Sequence, residues 1–156
     1  MDCKEGLNLL RFRRADGSDY SEWGKCRLGS LLSFKNGLNI GKEKFGSGIK
    51  FISVLDILNN NYIDYNNIRG MVDIDQTLLN EFDVEYGDIL FQRSSETRED
   101  AGKSNVYLDK EKKATFGGFV IRGKKIGDYI PEFMNFCLRS AGVRKQIIRK
   151  AQGEQH

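Results

Sequence analysis

The chain has 156 residues, a net charge of +3, and 39% hydrophobic, 30% charged and 11% aromatic residues. That length fits one globular domain, and its 10 Phe and 6 Tyr argue against wholesale disorder. No apolar run approaches the ~20 residues a membrane span needs, and the N-terminus lacks a signal-peptide hydrophobic stretch, so a cytoplasmic protein is expected.

After a polar N-terminal stretch, Cys26–Lys35 mixes apolar residues in short alternation, which predicts a turn of helix and then a strand ending at Asn36-Gly37. Ile49–Leu55, rich in β-branched and aromatic residues, predicts a second strand, broken by Asn59-Asn60-Asn61. Asp75–Phe82 is expected to form a short helix with Leu78, Leu79 and Phe82 on one side. A turn at Tyr86-Gly87-Asp88 leads into a buried strand, Ile89-Leu90-Phe91. Ser94–Asn105 is a long polar loop in which Thr97 and Asp100 have capping-box spacing. Asn105–Leu108 and Thr115–Ile121 are further strands. Pro131 suits the first turn of a helix with Phe133, Cys137 and Leu138 as its apolar face. Val143, Ile147, Ile148 and Ala151 repeat helical spacing, with Arg144, Lys145, Arg149 and Lys150 opposite. Strands first and helices last describe an α+β domain. Trp23, Phe91, Phe116 and Phe119 are assigned to its core.

Charge is unevenly spread. Residues 1–55 carry 10 basic and 6 acidic residues, residues 56–92 carry one basic (Arg69) and eight acidic, and residues 93–150 carry 14 basic and 7 acidic. Differing solvated faces are one account. The other is that the two basic thirds meet on one face against a polyanion, with the acidic band turned away.

Catalytic motifs are scarce. The three cysteines, Cys3, Cys26 and Cys137, are far apart and form no CxxC pair, which weighs against a disulfide framework or thiolate zinc site. The one histidine, His156, is the last residue and a poor mount for a triad, a dyad or a metal centre. Gly46-Ser47-Gly48 lacks the third glycine of a dinucleotide fingerprint, and no P-loop occurs. No Pro-Asp pair accompanies Glu111-Lys112-Lys113 to make a PD…ExK nuclease. No cofactor or metal is expected. What remains is Arg93–Asn105, where Arg93, Arg98 and Lys103 stand among Ser94, Ser95, Thr97, Ser104 and Asn105 behind a buried strand. Arg reads guanine, Asn reads adenine, and Ser or Thr bonds either phosphates or base edges. Simple solvation of a long loop accounts for the same residue types.

Trp23, Leu28-Gly29, Gly37, Gly87-Asp88-Ile89-Leu90-Phe91 and Arg93 follow one another in a familiar order. The series continues through Ser94-Ser95-Glu96, Gly102-Lys103-Ser104 and Phe116-Gly117-Gly118-Phe119. It closes with Tyr129-Ile130-Pro131-Glu132-Phe133, Leu138, Ser140, Arg144, Ile148, Ala151 and Gly153. This series resembles a target recognition domain of the specificity subunit of type I restriction–modification systems. The resemblance implies a curved mixed β-sheet with short helices and C-terminal helical segments, and no catalytic site. It implies double-stranded DNA as partner, one half of a split site being read by each recognition domain. It also implies a methyltransferase (modification) subunit and, through the full complex, the restriction subunit. The expected organisation is a polar segment at 1–22 and one recognition domain at 23–156. The family normally continues through further strand and a long helix, so the chain is expected to be truncated at its C-terminal end. A second recognition domain or a homodimer would complete the pair.

On this reading Lys42, Lys44, Lys50, Arg122, Lys124 and Lys125 position phosphates, and Arg93, Ser95, Arg98, Lys103 and Asn105 are candidates for base edges. Two other classes stay open: a small Mg²⁺-dependent nuclease holding its ion on Asp73, Asp75 and Asp88, and a protein-interaction module without nucleic acid.

Overall fold

A computed structural model describes residues 15–18 and 24–151. Trp23, Cys3 and His156 lie outside the described residues. The α+β class holds, with the strands divided between two sheets. β1 (Leu32–Asn36) follows a 3-10 turn at Leu28–Ser30, and β2 (Phe45–Ile52) follows another at Lys42–Lys44. Then come α1 (Val54–Asn59), β3 (Gly70–Val72), α2 (Gln76–Glu81), β4 (Ile89–Gln92), β5 (Ser104–Val106), β6 (Thr115–Phe116) and β7 (Val120–Lys125). Two helices, α3 (Pro131–Arg139) and α4 (Ala141–Lys150), close the order. One sheet runs β1-β7-β4-β5, all antiparallel. The other runs β3-β2-β6, with β6 parallel to β2.

The four-stranded sheet is covered on both faces. Leu90 and Val120 face one core with Ile52, Ile57, Ile63, Val84, Tyr107 and Phe116. Ile89, Phe91, Val106 and Leu32 face a second core, closed by Met134, Leu138 and Val143 of α3 and α4. Alternate residues of β4 therefore serve different cores, which is why it reads as an unbroken apolar run rather than an alternation.

Several local expectations are corrected. The predicted strand at Ile49–Leu55 ends at Ile52, and α1 begins at Val54. Asp56 is the reason: its Oδ2 accepts from the Ser53 N–H (2.8 Å) and Oγ (3.1 Å), a box that starts a helix. Thr115–Ile121 splits at the turn between β6 and β7. The buried stripe of α3 is Pro131, Met134, Asn135 and Leu138, while Phe133 is 43% and Phe136 71% exposed. Phe91 and Phe116 are core residues, but Phe119 stands in the β6–β7 turn and is 73% exposed. Asp75 caps α2 by accepting from the Leu78 N–H at 2.9 Å, as its position before that helix predicts.

The expected separation of charge is also corrected. The acids of the middle third face cations of β1 and β7. Asp83 lies 3.3 Å from Arg122 Nη1 and 3.1 Å from both Lys113 and Lys124. Lys124 also pairs with Glu85 (3.0 Å) and Asp88 (3.2 Å), and Lys35 pairs with Glu81 (3.0 Å). The register places Lys35 opposite Arg122, so these cations share one face of the sheet. Hydrogen bonds from Lys113 and then Lys124 hold the Glu85 carboxyl down at about 2. Burial, the largest influence, pushes Asp88 up.

Two predictions follow from this packing. Phe116→Ala costs about 3–5 kcal/mol of folding stability, whereas Phe119→Ala stays within about 0.5 kcal/mol. Chemical denaturation of both variants checks this, and equal losses would contradict the assignment. Glu85 is depressed in the folded protein from an ordinary value of 4.5 to about 2. Its contribution is therefore complete above pH 4.5 and disappears as the pH falls towards 2. Melting temperatures of the parent and Glu85→Gln should differ at neutral pH and converge across that acid window.

Candidate nucleic-acid interface

β4 itself is packed on both faces, and its end carries a polar loop. The chain leaves Gln92 as the loop 93–103 and returns at β5. The first loop residue is fastened to the β6–β7 turn: the Arg93 N–H donates to Phe119 O at 2.9 Å and its Nη1 donates to Gly118 O at 3.1 Å. Gly117 forms a bridge with Leu38, and a Cβ on Gly118 would stand 2.2 Å from Asn39 Oδ1. Beyond Asn39 the chain carries Lys42 and Lys44 in a 3-10 turn, where the Lys44 carbonyl accepts from the Asp73 N–H at 2.8 Å. Lys42, Lys44 and Arg93 are all exposed.

The loop is organised by its own side chains. Thr97 Oγ1 donates to Asp100 Oδ2 at 2.6 Å and accepts from the Asp100 N–H at 3.3 Å, so the capping-box spacing closes a turn rather than starting a helix. Lys103 Nζ lies 2.5 Å from Asp100 Oδ1. Lys103 and then Thr97 hold the Asp100 carboxyl below its usual range. Ser95 Oγ donates to Thr97 O at 2.5 Å. On the far side the loop leans on α4, where Arg98 Nε donates to Ile148 O at 3.2 Å. Between the loop, β1 and the C-terminal helices lies an open cleft of about 1340 Å³. Phe34, Phe91, Ile121, Leu138, Val143 and Ile147 line it together with Arg27, Arg93, Arg98 and Lys150.

Of the expected residues, Arg93, Ser95, Arg98 and Lys103 share the loop 93–103, and Lys42 and Lys44 stand in the 3-10 turn before β2. The other five are engaged inside the fold. Asn105 is fully buried. Its Nδ2 donates to Ile57 O (3.1 Å) and Asn60 O (2.7 Å), and its Oδ1 accepts from the Val106 N–H (2.9 Å). It ties β5 to the end of α1, and reading a base would strip three buried hydrogen bonds. Arg122 is 8% exposed and donates to Asp83 through both the backbone oxygen and the carboxylate. Lys124 is surrounded by Asp83, Glu85 and Asp88, so its charge is answered within the protein. Lys125 Nζ donates to Gly127 O at 3.0 Å and lies 4.9 Å from the Tyr129 ring centre. Lys50 Nζ donates to Ile68 O at 2.9 Å. For Lys50, Arg122 and Lys124, a β-strand cation read as surface charge meets a partner distant in sequence.

Residue types and spacing did not single out Phe119 as a projecting aromatic, nor Arg144 as a partner of the loop. The paired glycines at 117 and 118 carry a signal for the first, because they mark a tight turn that pushes the next side chain outward. Nothing local marks the second, whose partners lie more than forty residues earlier.

The nuclease candidates do not converge. Asp75 caps α2, and Asp88 accepts from the N–H groups of Glu85 (2.8 Å) and Lys125 (2.9 Å). Among the described residues no three His, Cys, Asp or Glu side chains come together to hold an ion. No described helix is long and apolar enough to cross a membrane.

No family model matches the sequence, and no curated protein matches it. Solved structures do. The HsdS subunit from Thermoanaerobacter tengcongensis superposes with a TM-score of 0.57 at 14% identity, over 83% of this chain and 29% of that one. A structure described as the basis of complex assembly and conformational transition of the type I R-M system superposes with a TM-score of 0.54 at 17% identity, over 81% of this chain and 30% of that one. The chain thus spans less than a third of the length of either structure. At such identities the likeness is one of architecture: this α+β domain has the fold of a portion of an HsdS subunit.

Proposed function

We propose that this domain reads DNA sequence, recognising one half of a bipartite site for a type I restriction–modification complex without catalysing a reaction itself. The observation that carries the reading is the superposition on HsdS over 83% of the chain. The polar loop 93–103, which leaves the end of β4 with Arg93, Ser95, Arg98 and Lys103, supports it independently. Lys42 and Lys44 serve phosphates, for which exposed charge without base selectivity is sufficient. Arg93, Ser95, Arg98 and Lys103 are the candidates for base edges. Arg93 is the strongest of them, because its backbone and one guanidinium nitrogen are already fixed to the β6–β7 turn. The partners in this reading are double-stranded DNA, a modification subunit and, through it, the restriction subunit. A second recognition domain or a second copy of this chain would supply the other half-site.

Gel-shift titration on duplex DNA at several salt concentrations, with and without Mg²⁺, tests the reading. The logarithm of the affinity should fall linearly with the logarithm of salt, and Lys42→Ala should flatten that slope by about 0.9 on every sequence. Arg93→Ala should instead cost about 1–3 kcal/mol on a preferred sequence and relax selectivity at one position. Metal-dependent cleavage would favour a nuclease, and absence of binding at low salt a protein-interaction module.

A further inference from the structure

The seam between the loop 93–103 and α4 is stitched from both sides. Arg98 reaches from the loop to the last turn of the helix, its Nε donating to Ile148 O at 3.2 Å. Arg144 reaches the other way, its Nη2 donating to Glu99 O at 2.7 Å and Ala101 O at 2.9 Å. Between these ties Ile147 packs against Gly102, whose φ of +67° and whose missing Cβ, which would stand 2.7 Å from Ile147 Cγ2, leave glycine as the fitting residue. The Arg144 guanidinium serves both carbonyls from one nitrogen, whose two N–H groups suit acceptors two residues apart. Its Nη1 is buried without a hydrogen-bond partner, so the guanidinium sits inside the seam rather than on the outer surface.

We infer that Arg144 is a positioning residue for the reading loop: with Arg98 it fixes the backbone from Arg98 to Gly102 against α4, and thereby sets the pose in which Arg93, Ser95 and Lys103 meet DNA. This rests on the DNA-reading proposal above. Its consequence is that sequence preference depends on a side chain set back from the proposed DNA-facing edge.

The test has two arms, both on the full chain, with Arg144→Met, which keeps the aliphatic stem, and Arg144→Lys. In the first, without DNA, hydrogen exchange of the amides of residues 97–103 should rise at least tenfold in Arg144→Met and less in Arg144→Lys, while amides of β4 and β7 keep their protection. In the second, a randomised duplex library is selected by binding and sequenced. The parent should enrich a motif that Arg144→Met enriches less sharply or in altered form, at an unchanged salt slope. Loop protection and motif both unchanged in a folded Arg144→Met would overturn the inference. If Arg144→Met fails to fold, Arg144→Lys decides by the same two readings. A parent that enriches no motif refutes the DNA-reading proposal instead, and the exchange arm still decides whether Arg144 holds the loop.

Discussion

Burial of β4 on both faces governs the rest of this molecule. Ile89 and Phe91 point into the core closed by α3 and α4, and Leu90 into the core shared with the second sheet. At the terminus of a strand so enclosed, a rigid element can aim a polar loop. The segment 93–103 accordingly begins on firm ground: Arg93 is pinned to the β6–β7 turn, and the Gln92 N–H donates to Lys103 O at 2.7 Å.

The electrostatics follow from the same layering. Where the first core meets solvent beneath β7, its apolar face gives way to Arg122 and Lys124, and the acids of residues 83–88 close over them. Half-buried cations there need partners, since an unanswered charge in such a place is costly. Part of the alternation of basic and acidic thirds along the chain is therefore a record of internal pairing. Lys42, Lys44 and Arg93 are exposed on turns and a loop, and Lys145, Arg149 and Lys150 are exposed on α4.

How much of this was legible in the residues depended on range. Elements set by local chemistry were readable: the strand at Ile89-Leu90-Phe91, the helix after Asp75 and the helix opening at Pro131 all appear. The helix α1 was not, because β-branched residues up to Ile52 run straight into it and only the Ser53–Asp56 pair marks the change. The site was half legible. Composition located the loop and its arginine, and the ordered series of short motifs agreed with the architecture shared with HsdS. Composition could not tell an asparagine that reads a base from one that braces a helix end, as Asn105 does at Ile57 and Asn60. Nor could periodicity distinguish a solvated arginine on α4 from one whose partners are the carbonyls of Glu99 and Ala101. Both distinctions rest on contacts more than forty residues apart in the chain.

The crowding of Gly102 against Ile147 has a bearing on how such a domain changes over time. A recombination event that exchanged the loop alone would place foreign side chains on a helix shaped for the old ones. Loop and helix must then travel together, or the incoming loop must bring its own glycine at the crossing point. A graft that moved only the contiguous loop would carry one side of this packed crossing and leave the other behind.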